Sequence, residues 1–300
     1  MDKLQELAKE CELAGASSAK AVGVDVLDLK SHGGLDKALS AALGGPVDVL
    51  VNNAGRSQRS LAEDTDLEVT RDMMELNVIG NISVTKAVLP GMLARRSGHI
   101  VVTSSVAGKV GAPVSSSYAA TKHAVQGYYG ALRNEVAYRG VDVTLVCPGP
   151  VESDITQHGE AAARTAPPAR PACPHARHWR SVSAQSQPPG PTAAFTAEHG
   201  VKASDASFAP DKSRRMTAER CAELMARSIH HSKLYEIWVS PQPILLFTMM
   251  NQLAPTLAAW VGSTRVGPAR VEALRSGKPG YEAVQGLGVM FGSAAKPKAE

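Results

Sequence analysis

Three short runs rich in β-branched residues constrain the fold most: Val47–Val51 (VDVLV), His99–Thr103 (HIVVT) and Val141–Cys147 (VDVTLVC). Each is apolar nearly throughout, the pattern of a strand buried on both faces. Helical spacing fills the gaps between them. Over Leu67–Leu93, the residues Val69, Met73, Leu76 and Gly80 fall along one face, and Pro90 weakens the last turn. Ser117–Ala137 is a long helix pattern. Upstream, Ala21–Leu27 (AVGVDVL) reads as a short strand, and a helix over Leu35–Leu43 is stopped by Gly44, Gly45 and Pro46. Strands separated by helices predict an α/β fold with a parallel sheet covered on both faces.

That pattern ends near residue 158. From about Gly159 to Lys212 the chain is rich in Pro, Ala, Arg, Ser and Gln, with no apolar periodicity. Such a segment buries too little apolar surface to offset its ordering entropy, so it reads as a disordered insert foreign to the fold. Periodicity returns at 213–276. Thr217 is a candidate N-cap, with Cys221, Leu224, Met225, Ser228 and Ile229 on one helical face behind it. Glu236–Ser240 (EIWVS) reads as a last strand. The expected organisation is an α/β core over 1–158, the insert over 159–212, the rest of the same domain over 213–276, and a flexible tail over 277–300.

Composition removes several function classes. A net charge of +4, with arginines scattered rather than striped, argues against nucleic-acid binding. Cys11, Cys147, Cys173 and Cys221 form no CxxC pair, so reduced thiols are expected rather than zinc ligands or disulfides. His32, His99, His123 and His158 show no metal spacing and read as structural or surface residues. MDKLQELAKE reads as a polar helical start rather than a signal peptide or spanning segment. The apolar stretch Ile237–Val261 is interrupted by Pro241, Pro243 and Pro255, which suits a cap over a substrate pocket or a membrane-surface segment better than a spanning helix.

The chemistry concentrates around Tyr118 and Lys122, four apart and so on one helical face. An ammonium beside a phenol favours the phenolate, which lets the phenol exchange protons nearer neutrality. That suits protonation of a carbonyl oxygen as hydride reaches its carbon. Ser105 follows the HIVVT strand, where its hydroxyl can bond a substrate carbonyl, or simply cap a turn. Asn77, in LNVIG, is a poor helix former placed mid-helix, a local cost that function would explain. Tyr128 and Tyr129 read as packing residues.

Asn52-Asn53-Ala54-Gly55, Asn77-Val78, Ser105, Tyr118-Ala-Ala-Thr-Lys122 and Pro148-Gly149 together resemble the classical short-chain dehydrogenase/reductase superfamily over about residues 20–157. The resemblance implies a Rossmann-like doubly wound sheet and assigns roles. Tyr118 would be the general acid/base, and Lys122 would lower its pKa and bond the nicotinamide ribose. Ser105 would orient the carbonyl, and Asn77 would hold a relay water. Asn52, Ala54 and Gly55 would lie against the cofactor's adenosine half, and Asp25 (Asp28 in the alternative register) against the adenine. Val151, in the stretch from Pro148, would lie on the nicotinamide, and Ser153 would touch its carboxamide.

SQRSL, CPGPVESDI, MTAERCAELM and EIWVSPQPILL resemble one branch of that superfamily, the dehydrogenase/reductase SDR member 7 group. This resemblance implies an NADP-dependent enzyme for a small lipophilic carbonyl or alcohol (a steroid, retinoid or similar ketone or aldehyde). It further implies a homodimer and association with the endoplasmic reticulum membrane. The glycine-rich turn that holds a dinucleotide pyrophosphate is not found in the sequence, and the resemblance puts it upstream of residue 1. The glycines between Ser105 and Tyr118, Gly108 and Gly111, are in the wrong context for it. The first strands of such a sheet are then absent, so VDVLV is expected to show an apolar surface and an unpaired edge, in a destabilised domain. NAD remains an alternative cofactor, and a catalytically inactive, dimerising interaction partner is the second functional reading.

Overall fold

The computed structural model describes residues 2–151, 215–230, 234–240 and 242–275. The proposed insert, Ser153 and the tail beyond 277 lie outside these described residues.

Among the described residues four parallel strands lie side by side in chain order: β1 (Val49–Asn52), β2 (Gly98–Thr103), β3 (Val141–Pro148) and β4 (Glu236–Val239). Val51 pairs with Val101, and Val101 in turn with Thr144. The helices before β2 are α1 (Asp2–Leu13), α2 (Leu35–Leu43), α3 (Leu67–Met74) and α4 (Asn81–Arg95), and α5 (Ser116–Val136) precedes β3. After β3 come α6 (Ala218–His230), α7 (Ile244–Leu253), α8 (Pro255–Val261) and α9 (Gly267–Arg275).

Both sheet faces are covered. Ile100, Val102, Val143 and Leu145 pack on Val88 and Met92 of α4 and on Val125, Tyr129 and Leu132 of α5. Val101, Val146 and Val239 pack on Cys221, Leu224 and Met225 of α6 on the other side. Full burial of each such aliphatic side chain is worth about 1.5–3 kcal/mol. The fold is therefore the α/β, doubly wound parallel arrangement expected of the sequence. Thr217 caps α6 as expected, its hydroxyl accepting the Arg220 N–H at 3.2 Å.

Three local expectations need correction. Ala21–Leu27 forms no strand. A strand is stabilised by a hydrogen-bonded neighbour, and among the described strands none pairs with this segment. Its polar groups go elsewhere: the Asp25 carboxylate accepts the Leu27 N–H at 2.9 Å, and the Asp25 carbonyl meets the buried His32 ring at 3.0 Å. Next, β1 is buried on one face only. Val49 and Val51 remain 41% and 43% exposed, because α6 covers β2 to β4 and not the edge strand. That outcome matches the expected apolar surface at VDVLV.

The third correction concerns the helix through Asn77. Residues 67–95 are helical throughout, Pro90 included, but Glu75–Gly80 is a π turn. The extra residue in that turn moves the inward face from Leu76 to Asn77. Val69, Met73, Asn77, Asn81 and Thr85, each four residues apart, are all buried. By length and composition this helix could cross a membrane, but its buried face is core.

Candidate active site

The carboxyl ends of β1 to β3 converge on the first turns of α5. Tyr118 and Lys122 do share a face: the Lys122 ammonium lies 5.6 Å from the centroid of the Tyr118 ring. Lys122 is buried and donates to the Thr103 carbonyl, at the end of β2, at 2.9 Å. Burial lowers its pKa to about 8, against an opposing contribution from Cys147. That opposition is small near neutral pH, because burial pushes the Cys147 thiol up to about 12 and keeps it uncharged.

Ser105 begins the short 3₁₀ turn Val106–Gly108. Its hydroxyl accepts the Ala107 N–H at 3.1 Å and donates to the Pro148 carbonyl at 3.3 Å. The cap reading of Ser105 thus holds locally, and the longer bond ties the end of β2 to the end of β3. Gly108 is needed for packing: a Cβ there would stand 2.8 Å from both the Lys122 carbonyl and Ser104 Oγ.

The turn after β1 is held by side-chain amides and hydroxyls. Asn77 Oδ1 accepts the Arg56 N–H at 2.8 Å, while its Nδ2 donates to the Arg56 carbonyl at 2.9 Å and to Thr121 Oγ1 at 3.0 Å. Asn81 Nδ2 donates to the Ala54 carbonyl at 3.0 Å, and the Thr103 hydroxyl donates to Asn53 Oδ1 at 2.8 Å. Gly55 passes close to Asn77 and Lys122. A Cβ there would lie 3.0 Å from Asn77 Oδ1 and 3.7 Å from Lys122 Nζ, so glycine keeps that space open.

Asn52 turns its amide into the core, donating to Thr85 Oγ1 at 2.7 Å and Tyr129 Oη at 3.2 Å. It anchors the turn from behind. Tyr129, fully buried, is a packing residue as expected, and burial raises its pKa. Val151 bridges to Met216 just past Gly149, whose N–H donates to the Val239 carbonyl at 2.8 Å. Asp25 sits on the exposed segment described above, with its carboxylate engaged locally.

The structure therefore joins Tyr118, Lys122, Asn77, Ala54 and Gly55 in one cluster, with Ser105 at the end of the strand beside it. Sequence reasoning missed Thr121, which donates to the Tyr118 carbonyl at 2.8 Å and accepts from Asn77. It also missed Asn81 and Gln126, the latter bonding Ser104 Oγ at 3.1 Å and Cys147 Sγ at 2.9 Å. A hint existed for Asn81, which follows Asn77 by four residues. Nothing comparable marked Gln126.

The structure places a buried amine beside a phenol at the carboxyl edge of a doubly wound parallel sheet. The chain belongs to the short-chain dehydrogenase family, whose model matches residues 1–163. It is 36% identical over 278 residues to human dehydrogenase/reductase SDR family member 7, covering 92% of this chain and 70% of that protein. It is 39% identical over 163 residues to mouse dehydrogenase/reductase SDR family member 7B, covering 53% of this chain and 50% of that one. Among solved structures, it is similar to a gluconate 5-dehydrogenase from Burkholderia cenocepacia in complex with NADP and tartrate. There the identity is 28% and the TM-score 0.49, over 52% of this chain and 60% of that one.

Proposed function

We propose that this chain carries the proton-transfer centre of an NADP-dependent oxidoreductase that interconverts a lipophilic ketone or aldehyde and its alcohol. The observation that carries the reading is the buried Lys122 ammonium beside the Tyr118 ring. A bound nicotinamide cofactor would supply or accept the hydride at the carbonyl carbon. In the reducing direction Tyr118 donates its phenolic proton to the carbonyl oxygen, and the Lys122 charge stabilises the phenolate left behind. Ser105 bonds the same oxygen by giving up its 3.3 Å bond to Pro148, a long bond that costs little to release.

The residues fit the nicotinamide-ribose half of the cofactor. Among the described residues Lys122 donates to Thr103 alone, leaving N–H groups for ribose hydroxyls. Gly55 leaves room beside it. Val151 and Ser153 are assigned to the nicotinamide, Asn52 and Ala54 to the turn over the cofactor, and Asp25 to the adenine. The pyrophosphate turn is not among these 300 residues. Apolar α7 and α8 suit a lipophilic substrate, since Asn251 ties α7 to the loop after Ser105 through the Lys109 carbonyl at 2.7 Å. A homodimer at a membrane of the endoplasmic reticulum completes the reading.

The test is turnover of a panel of lipophilic carbonyls with NADPH and, in parallel, NADH. Faster oxidation of NADPH is expected, falling about 10²–10⁴-fold in Tyr118→Phe with the fold intact. A rate unchanged by Tyr118→Phe would sink the reading, and a folded chain with no turnover on either cofactor would favour the non-catalytic partner.

A further inference from the structure

We propose that the outer face of α7 and α8 docks on a lipid surface. This deepens the preceding reading by naming a partner for the C-terminal helices, and its test needs no turnover.

The inner face of these helices is accounted for. Phe247 and Met250 pack on Val261 and Val266, and Thr248 and Ala258 are buried. The opposite side is apolar and open to solvent. Leu246, Met249 and Leu253 follow one another at helical spacing along α7, and Leu253 is 81% exposed. On α8, Leu257 and Trp260 continue the series three residues apart, with Trp260 53% exposed. A run of five large apolar side chains facing water over two successive helices is more than the scattered exposure of an ordinary surface.

Charge selects the occupant. Residues 237–271 contain no Asp or Glu, so no carboxylate on these helices opposes a phosphate headgroup. The guanidinium of Arg265 sits 5.9 Å over the Trp260 ring. An aromatic ring with a cation stacked on it suits the headgroup boundary, where the ring meets acyl chains and the cation meets phosphate. The face also adjoins the proposed site. Asn251 and Gln252 of α7 both donate to the Lys109 carbonyl, four residues past Ser105. Helices lying in the interface would bring a membrane-dissolved carbonyl compound to the edge of that site.

The experiment is flotation of the full chain with vesicles of phosphatidylcholine, with and without phosphatidylserine. The chain should float with both, about fivefold more strongly with the anionic vesicles at low salt, as one interfacial arginine implies. Replacing Leu253 and Leu257 together by Glu should lower partitioning at least about tenfold, and Trp260→Ala should lower it less. All three positions are exposed, so thermal unfolding of both variants should match the parent. Tyr118→Phe should float like the parent, so a failure of lipid docking is separable from a failure of the catalytic reading. The proposal is overturned if the parent does not float or if the double variant floats unchanged. It is equally overturned if that variant alters only the mass in solution, which would assign the face to a second copy of the chain.

Discussion

The side-chain amide of Asn77 clasps the backbone of Arg56 at two points, accepting its N–H at 2.8 Å and donating to its carbonyl at 2.9 Å. The same Nδ2 reaches Thr121 Oγ1, whose own proton goes to the Tyr118 carbonyl. One buried amide thus fixes the turn at Gly55 relative to the helix that carries Tyr118 and Lys122.

Asn77→Asp is nearly isosteric but sets an oxygen against the Arg56 carbonyl and against a hydroxyl already committed as donor. Leaving buried polar groups unmatched in this way costs about 1–3 kcal/mol each. A fall of at least about 2 kcal/mol in unfolding free energy is expected from urea titration. An unchanged midpoint would mean the clasp does not exist in solution.

Lys122 gives a signed pH dependence. Its folded pKa is lowered to about 8 by burial, so between about pH 8 and pH 10.5 the unfolded chain binds the extra proton. Stability from this group therefore rises with pH across that window, because the buried charge is no longer imposed on the folded state. Lys122→Met removes the dependence. Its stability relative to the parent should be most favourable near pH 7 and should decline by roughly 3 kcal/mol by pH 10.5. Taking the difference between the two chains removes the opposing titrations of Cys147 and Tyr129, whose pKa values burial raises. A pH-independent difference would contradict the buried ammonium.

Gly108 and Gly111 should respond differently to alanine. At Gly108 the new methyl would meet the Lys122 carbonyl and Ser104 Oγ, so the turn after Ser105 must move. A loss of about 1–3 kcal/mol is expected, with slower turnover wherever turnover is found. Gly111 has nothing within 4 Å of the added carbon, and its substitution should be neutral or slightly stabilising. Paired thermal melts decide the matter, and equal shifts would refute the packing role of Gly108.

The thiols should separate by burial. Cys11 is exposed, whereas Cys147 and Cys221 are buried with raised pKa values. Iodoacetamide on the native chain, followed by peptide mapping, should label Cys11 well before Cys147 or Cys221. Equal labelling of Cys147 without denaturant would show that the sheet and α5 are open in solution.

Much of this was legible beforehand because it is local. The apolar runs at HIVVT and VDVTLVC matched β2 and β3 to within one residue at each end, and VDVLV matched β1 to within two. The glycine stop after Leu43 gave the end of α2, where Gly44 takes the left-handed conformation at φ 71°. A helix places residues four apart on one face whatever surrounds it, so the pairing of Tyr118 with Lys122 could be read from spacing alone.

What failed to be legible depended on partners distant in sequence. Ala21–Leu27 has the composition of a strand, but composition supplies no neighbour for its N–H and C=O groups. The π turn at Glu75–Gly80 shifts the register of one long helix, so the true inward face, with Asn77 and Asn81 on it, appears only when the turn after β1 packs there. Asn52 and Gln126 are likewise given their contacts by strands and helices far along the chain. The sequence by itself determined β1 to β3, the helices between them and the pairing of Tyr118 with Lys122, since periodicity and local spacing act within a few residues. The tertiary structure decided which polar groups close on which, because a buried amide or hydroxyl takes whatever partner packing brings within about 3 Å.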